Sequence, residues 1–237
     1  MPMVEEELPQ GEALPKTEAS RVRLGPPEDS GPRPSRIPRS KVRRWVSPFD
    51  RDGSKPAVSV FLTQPAFVRI CSLAGRDLDN EVGGALIGQW RIDNPSGEQF
   101  IVAEAVLPAR FTRHGSAFLT FTQDTLVALH GEQEARYPEK RMIGWFHTHP
   151  RMGVFLSDYD IWLHQHFFPE PWQVALVIEP HTQIGGFFVR EEDGSLDHHR
   201  YHGFLEIVGN SGKSLVDWKN LEPDHFEGLT EGAENNE

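Results

Sequence analysis

The chain has 237 residues, a single cysteine and a net charge of −11, with Lys+Arg 24 against Asp+Glu 35. That length holds one sizeable domain with tails or two small ones, and Cys71, having no cysteine to pair with, excludes a disulfide scaffold, a zinc ribbon and a thioredoxin-type site. The acidic balance argues against a broad nucleic-acid surface, because phosphate binding draws on Lys and Arg. No positive segment followed by an apolar core opens the chain, and nowhere do about 18 apolar residues run together, so a cytoplasmic protein with no membrane association is expected.

Residues 1–55 hold nine of the 19 prolines, few aliphatics, acidic residues at Glu5, Glu6, Glu7 and Glu12, and a basic run across Arg33, Arg36, Arg39, Lys41, Arg43 and Arg44. So little apolar area does not offset the entropy of ordering, and this segment is expected to be a disordered arm. Its basic run reads as a solvated linker, with contact to nucleic acid or an acidic partner as the rival reading. The foldable part is placed at 56–209. Strands are expected at 58–62, 83–90, 99–107, 116–122 and 142–146, and two more in WQVALVIEP and QIGGFFVRE, either side of a Pro-His-Thr turn. Helical spacing marks 64–77 (Phe67, Ile70, Cys71, Ala74), 123–136 (Leu126, Leu129, His130) and the stretch from Ser157 to before Pro169. Interleaved strands and helices predict an α/β fold with a mixed sheet flanked by helices. Residues 210–237 read as an acidic tail, with Leu215, Val216 and Trp218 able to dock on the domain.

The chemistry is concentrated in MIGWFHTHPRMGVFLSDYD, residues 142–160. Side chains two apart on a strand share a face, so His147 and His149 project together if the strand reaches them, and Pro150 then ends the ladder for want of an amide hydrogen. Asp160 falls in the first turn of the next helix, where its carboxylate can face back to the strand end. Two imidazoles and one carboxylate form a donor set suited to Zn²⁺ with a fourth position left for water. The competing readings are an accidental histidine pair among 11 histidines and a capping box made by Ser157 and Asp160 ahead of Ile161, Trp162 and Leu163. Capping and a site role are compatible for Ser157. For Asp160 they compete. His164, one turn further on, is an alternative ligand, and His166 faces elsewhere; both read as ordinary helix residues.

His147-Thr148-His149-Pro150, with Ser157 seven positions on and Asp160 three beyond it, resembles the signature of the JAMM, or MPN-plus, metalloproteases. Upstream, EVGGALIG is similar to that family's Glu-x-x-Gly-x-Leu-x-Gly pattern through Glu81, Gly84, Leu86 and Gly88. Taken alone, Glu81 reads as a solvated loop residue after Asp77, Leu78, Asp79 and Asn80. The resemblance spans about 57–190 and implies a fold related to the cytidine-deaminase architecture, one catalytic Zn²⁺ held by His147, His149 and Asp160, Glu81 as general base, and Ser157 as hydrogen-bond donor to the tetrahedral oxyanion. Cys71 is left as a packing residue.

By the same resemblance the reaction is hydrolysis of an isopeptide or peptide bond after the C-terminal tail of a ubiquitin or ubiquitin-like protein, with the loops 108–116 and 151–156 and Phe155 bordering the cleft. The alternatives are a hydrolase of small amide conjugates and a non-catalytic MPN scaffold that only binds protein partners.

Overall fold

The computed structural model describes residues 31–51, 56–110, 113–115 and 118–224. Residues 1–30 of the expected arm, 225–237 of the expected tail, Ala117 and part of the 108–116 loop lie outside the described residues. In chain order the elements are β1 (Arg33–Ser35), β2 (Val42–Val46), β3 (Ser59–Thr63), α1 (Gln64–Ala74), β4 (Gly83–Asp93), β5 (Gln99–Pro108), β6 (Arg113–Gly115), β7 (Phe118–Thr120), α2 (Gln123–Arg136), β8 (Arg141–Thr148), α3 (Asp158–Phe167), β9 (Val174–Glu179), β10 (Ile184–Phe188), β11 (Phe204–Ile207) and β12 (Glu222–Asp224). Ten strands make one mixed sheet in the order β10-β9-β8-β4-β5-β3-β11-β2-β12, with β1 alongside β4, while β6 and β7 pair separately. Among the described residues, no helix is long and apolar enough to cross a membrane.

Alternation along the central strands sends side chains into two cores. Leu62, Leu86, Ile101, Phe146 and Leu176 face α1, which presents Phe67, Ile70 and Leu73. Ala85, Ile87, Trp145, Ala175 and Val177 face the other way, with Leu126 and Leu129 of α2 and Leu163 and Phe168 around α3. In α2 the inward side is Thr125, Leu126 and Leu129, and His130 is exposed, not inward as its spacing suggested. Helix starts follow local chemistry: Thr63 caps α1 ahead of a proline in its first turn, and Thr122 caps α2 through the Thr125 amide. At the other end of α3, the buried Arg190 guanidinium donates to the carbonyls of Phe168 (2.9 Å) and Glu170 (2.9 Å), occupying acceptors that a helix end leaves open.

The expected arm is not disordered throughout. Within it, β2 pairs antiparallel with β11, and Ile37 and Val42 cover Phe61, Phe100 and Val102 on the side of the sheet away from α1. Composition averaged over 55 residues hid a few apolar side chains placed at strand spacing, and a strand partner 160 residues away supplies the hydrogen bonds that a local reading lacks. β11 was absent from the expected elements for the same reason. The domain also runs past 209: Val216, Trp218 and Leu221 are buried, Trp218 lies 5.4 Å from Phe67, and β12 extends the sheet beside β2. Leu215 stays half exposed. Asn220 accepts from the Gly185 amide (3.0 Å) and donates to its carbonyl (3.0 Å), so this segment also closes the free edge of β10.

One buried carboxylate ties both additions to the sheet. Glu206 on β11 accepts from Trp45 Nε1 (3.2 Å), Gln64 Nε2 (2.8 Å), the Leu215 amide (2.8 Å) and the Ser214 hydroxyl. Trp45→Ala removes a buried ring and leaves Glu206 one donor short. We expect it to lower unfolding stability by about 3–5 kcal/mol, read from a chemical denaturation midpoint. An unchanged midpoint would show that β2 is not part of the cooperative unit.

Candidate metal centre

β8 and β9 are parallel neighbours joined through α3, a β-α-β unit. In such a unit the crossover helix leaves from the carboxyl edge of the first strand, and that edge is where side chains from strand end and helix start can meet. The phase of β8 is set by a bulge. Leu86 opposes Gly144, but Ile87 opposes Met142, so one extra residue lies in β8 between them. Met142 and Trp145 therefore share one core, and Ile143 and Phe146 the other. Only glycine fits at 144, where a Cβ would stand 2.0 Å from the Val174 carbonyl oxygen. From Trp145 onward the odd-numbered side chains face α3, and His147 stacks on the Trp145 ring at 4.7 Å.

His147, His149 and Asp160 converge, all buried, each with one ligand atom within 4.8 Å of the others. The two imidazole Nε2 atoms are 2.9 Å apart, and Asp160 Oδ1 is 3.5 Å from His147 Nε2. The His149 amide still bonds to Ile178 of β9 (2.8 Å), so the ladder carries one residue past the end of β8. His149 Nδ1 donates to the Gly153 carbonyl (3.1 Å), which leaves its Nε2 with a lone pair aimed at the cluster.

The competition between capping and the site is settled by dividing one carboxylate. Asp160 Oδ2 accepts from the Ser157 amide (2.8 Å) and the Ser157 hydroxyl (2.6 Å), while Ser157 Oγ accepts from the Asp160 amide (3.2 Å). The capping box is complete, and Oδ1 remains for the histidines. Ser157 thus fixes the rotamer that aims Oδ1.

The electrostatics favour a cation. Burial works against protonating His147, but the Asp160 carboxylate, with Glu81 adding to it, holds the His147 pKa above its usual value. Burial likewise works against ionising Asp160, yet His147 and the Ser157 hydrogen bonds keep its carboxyl well below the usual range. His149 is pushed down to about 3 by burial and then by His147. Two imidazole nitrogens and a carboxylate oxygen, with one imidazole lone pair already oriented, fit a divalent ion.

Glu81 is not solvated. It is 4% exposed, with Oε1 4.0 Å from His149 Nε2. The loop that carries it is folded onto the site by Thr148, whose amide donates to the Val82 carbonyl (2.9 Å) and whose hydroxyl accepts from the Val82 amide (2.9 Å). Gly84 and Gly88 beside it admit the β5 backbone, since Cβ atoms there would meet carbonyl oxygens at 2.1 and 1.8 Å. Phe155 packs 4.6 Å from the His149 ring and borders the site, and His199 lies behind it at 6.1 Å. The segment around His198, tied to the site loop by the Leu156 amide donating to the His198 carbonyl (2.7 Å), had no motif to mark it.

His164 is not brought into the cluster. It is buried and accepts from Trp145 Nε1 (3.1 Å), steadying the indole on which His147 stacks. His166 is exposed, donating to the Trp162 carbonyl (2.7 Å). Cys71, half-buried against the α1 core with its thiol pushed up to about 11 by burial, is a packing residue.

Residues 56–168 match the family described as JAB1/Mov34/MPN/PAD-1 ubiquitin protease. Over this segment the chain is similar to JAB/MPN domains. The match runs from β3 to the end of α3, so β1, β2 and β9 to β12 lie beyond it. The NAD(+) hydrolase TcpA of Theionarchaea archaeon (strain DG-70-1) is 28% identical over 155 residues, 62% of this chain and 43% of that protein, so the chain spans less than half of that relative. The solution structure of protein DSY2949 from Desulfitobacterium hafniense matches with a TM-score of 0.43 and 24% identity, over 60% of this chain and 91% of that one. Within the matched segment all three candidate ligands come from the β8 end and the first turn of α3.

Two outcomes follow. Purified protein should hold about one equivalent of divalent metal, and His147→Ala and Asp160→Ala should each abolish it, by elemental analysis. The second concerns acid. Burial and then Arg190 push His164 down to about 3 from 6.5, so its contribution to stability is full above pH 6.5 and is lost as pH falls from there toward 3. In metal-free protein His149 acts in the same window, whereas His147, shifted upward, acts above it. Each contributes a slope of about 1.4 kcal/mol per pH unit. In metal-free protein His164→Gln should remove up to about half of the loss of stability between pH 6.5 and 4.5, measured by denaturation at each pH; an unchanged slope would show that His164 does not stay neutral in the fold.

Proposed function

We propose that this chain is a zinc-dependent hydrolase that cleaves an isopeptide or peptide bond after the C-terminal tail of a ubiquitin or ubiquitin-like protein. The observation that carries the reading is the divided Asp160 carboxylate: one oxygen holds the helix cap and the other completes a buried His-His-carboxylate set, with the Glu81 carboxylate beside it. Three ligands of this mixed nitrogen and oxygen kind suit zinc and leave a fourth position open. Bound there, zinc supplies Lewis acidity and lowers the pKa of a water molecule to about 7.

The chain's own residues do the rest. Glu81, desolvated and 4.0 Å from His149, takes the proton from the attacking water and delivers it to the leaving amine. Ser157 rotates its hydroxyl from Asp160 Oδ2 to the developing oxyanion, and its amide keeps hold of Oδ2 meanwhile. Such a donor is worth about 2.7–4 kcal/mol where one has been removed from other enzymes. The family description supports the substrate class, and on this reading Phe155, packed against the His149 ring, borders the extended tail.

The test is turnover of ubiquitin and ubiquitin-like conjugates with and without a zinc chelator, with NAD⁺ as comparator because the archaeal relative is named for its hydrolysis. Chelation should abolish cleavage and lower stability. Glu81→Gln should keep the metal and lose about 10²–10⁴-fold in kcat. Turnover retained in that variant would overturn the base, and a chain without metal or conjugate cleavage would be a binding scaffold. Consumption of NAD⁺ without conjugate cleavage would overturn the substrate class.

A further inference from the structure

Two loops meet at the site from different parts of the chain: residues 77–82, which carry Glu81, and the turn after His149. A third segment, the turn that follows β9, touches both, and it lies outside the matched segment 56–168. Its organising residue is Glu179, the last residue of β9, 1% exposed. Glu179 Oε1 accepts from the His181 amide (2.8 Å) and the Arg151 amide (3.3 Å), and Oε2 from the Thr182 amide (3.0 Å) and the Thr182 hydroxyl. Arg151 sits two residues past His149 with φ at 59°, a left-handed conformation rare for a side chain of that size. A carboxylate with four donors is what steadies that turn and orients residue 181.

From this turn His181 reaches back. Its Nε2 donates to the Leu78 carbonyl (2.7 Å), three residues before Glu81. Arg151 makes a parallel but exposed ion pair with Asp79 (3.3 Å). Within the loop, Asp77 accepts from the amides of Asp79 (3.1 Å) and Asn80 (3.0 Å), so its first half is a rigid turn anchored at one end by His181 and at the other by the Thr148 clasp on Val82. Glu81 lies between those anchors.

We propose that His181, oriented by Glu179, is a positioning residue that holds the Glu81 loop against the metal centre. The proposal rests on Glu81 being the base of the hydrolase. It acts on placement alone: no proton of His181 enters the reaction. A displacement of about 1 Å at a reacting group can cost 10²-fold, so one anchor on a short loop is enough to govern rate. His181 is only half-buried, and its substitution leaves the cores untouched.

The experiment uses the full chain loaded with zinc and the variants His181→Ala, His181→Gln and Glu179→Gln, each alone and with Glu81→Gln. We expect His181→Ala to raise amide hydrogen exchange at residues 79–82 by about 10-fold or more, while exchange along β8, metal content and melting temperature stay at wild-type values. On a cleaved conjugate, kcat should fall about 10-fold with KM unchanged. His181→Gln, which keeps a donor for the Leu78 carbonyl, should restore most of both effects, and His181→Ala should cost nothing further once Glu81 is Gln. Unchanged exchange at 79–82, loss of metal, or a fall in kcat that adds to that of Glu81→Gln would overturn the proposal. A wild-type chain that cleaves no conjugate overturns the hydrolase reading instead, and the exchange measurement then decides the role of His181 by itself.

Discussion

Everything at the candidate site depends on how the Asp160 carboxylate is shared. A carboxylate at the third position of a helix ordinarily turns back to the cap, where it satisfies an amide and meets the positive end of the helix dipole. Here that bond uses Oδ2 alone, and because Ser157 contributes both its amide and its hydroxyl, the carboxylate is held in one rotamer with Oδ1 fixed toward His147. A structural device and a ligand therefore occupy the same side chain without competing. The cost of burying the charge is offset by the same hydrogen bonds and by His147.

The supporting layers follow one pattern, in which a polar group keeps the orientation of its neighbour. His149 is oriented by a carbonyl, His147 by the face of Trp145, and Trp145 by His164. None of these contacts is long-lived in water; buried, each has few alternatives. The bulge at Gly144 matters as much as any of them, since without the extra residue the strand would deliver His147 to the α1 side of the sheet, away from Asp160.

The terminal segments show a second use of buried charge. Glu206 gathers donors from β2, α1 and the chain after residue 213, and so makes the two ends of the domain interdependent. Asp93 plays a smaller part of the same kind, accepting from the Ile37 amide (2.9 Å) near β1. Polar staples of this sort stand in for aliphatic residues that those segments lack.

What could be read from the linear chain was whatever is periodic or closely spaced. The helix at 123–136, the strands at 83–90 and 99–107, and the shared face of His147 and His149 all come from the repeat of a strand or helix over a few residues, where local sterics decide direction. Glu81 was legible only through the Glu-x-x-Gly-x-Leu-x-Gly pattern; its own neighbours, four residues of loop chemistry, pointed to solvent. Its burial is the work of Thr148, 67 residues on. The strands β2, β11 and β12 could not be read, because short, charged segments become strands only when a distant partner supplies hydrogen bonds and an apolar face to cover. Nor did the chain by itself say which of two duties Asp160 performs. Spacing determined that a cap and a ligand were both within reach of one side chain, and three-dimensional packing assigned an oxygen to each, since only a folded sheet edge brings His147 to the open side of the carboxylate.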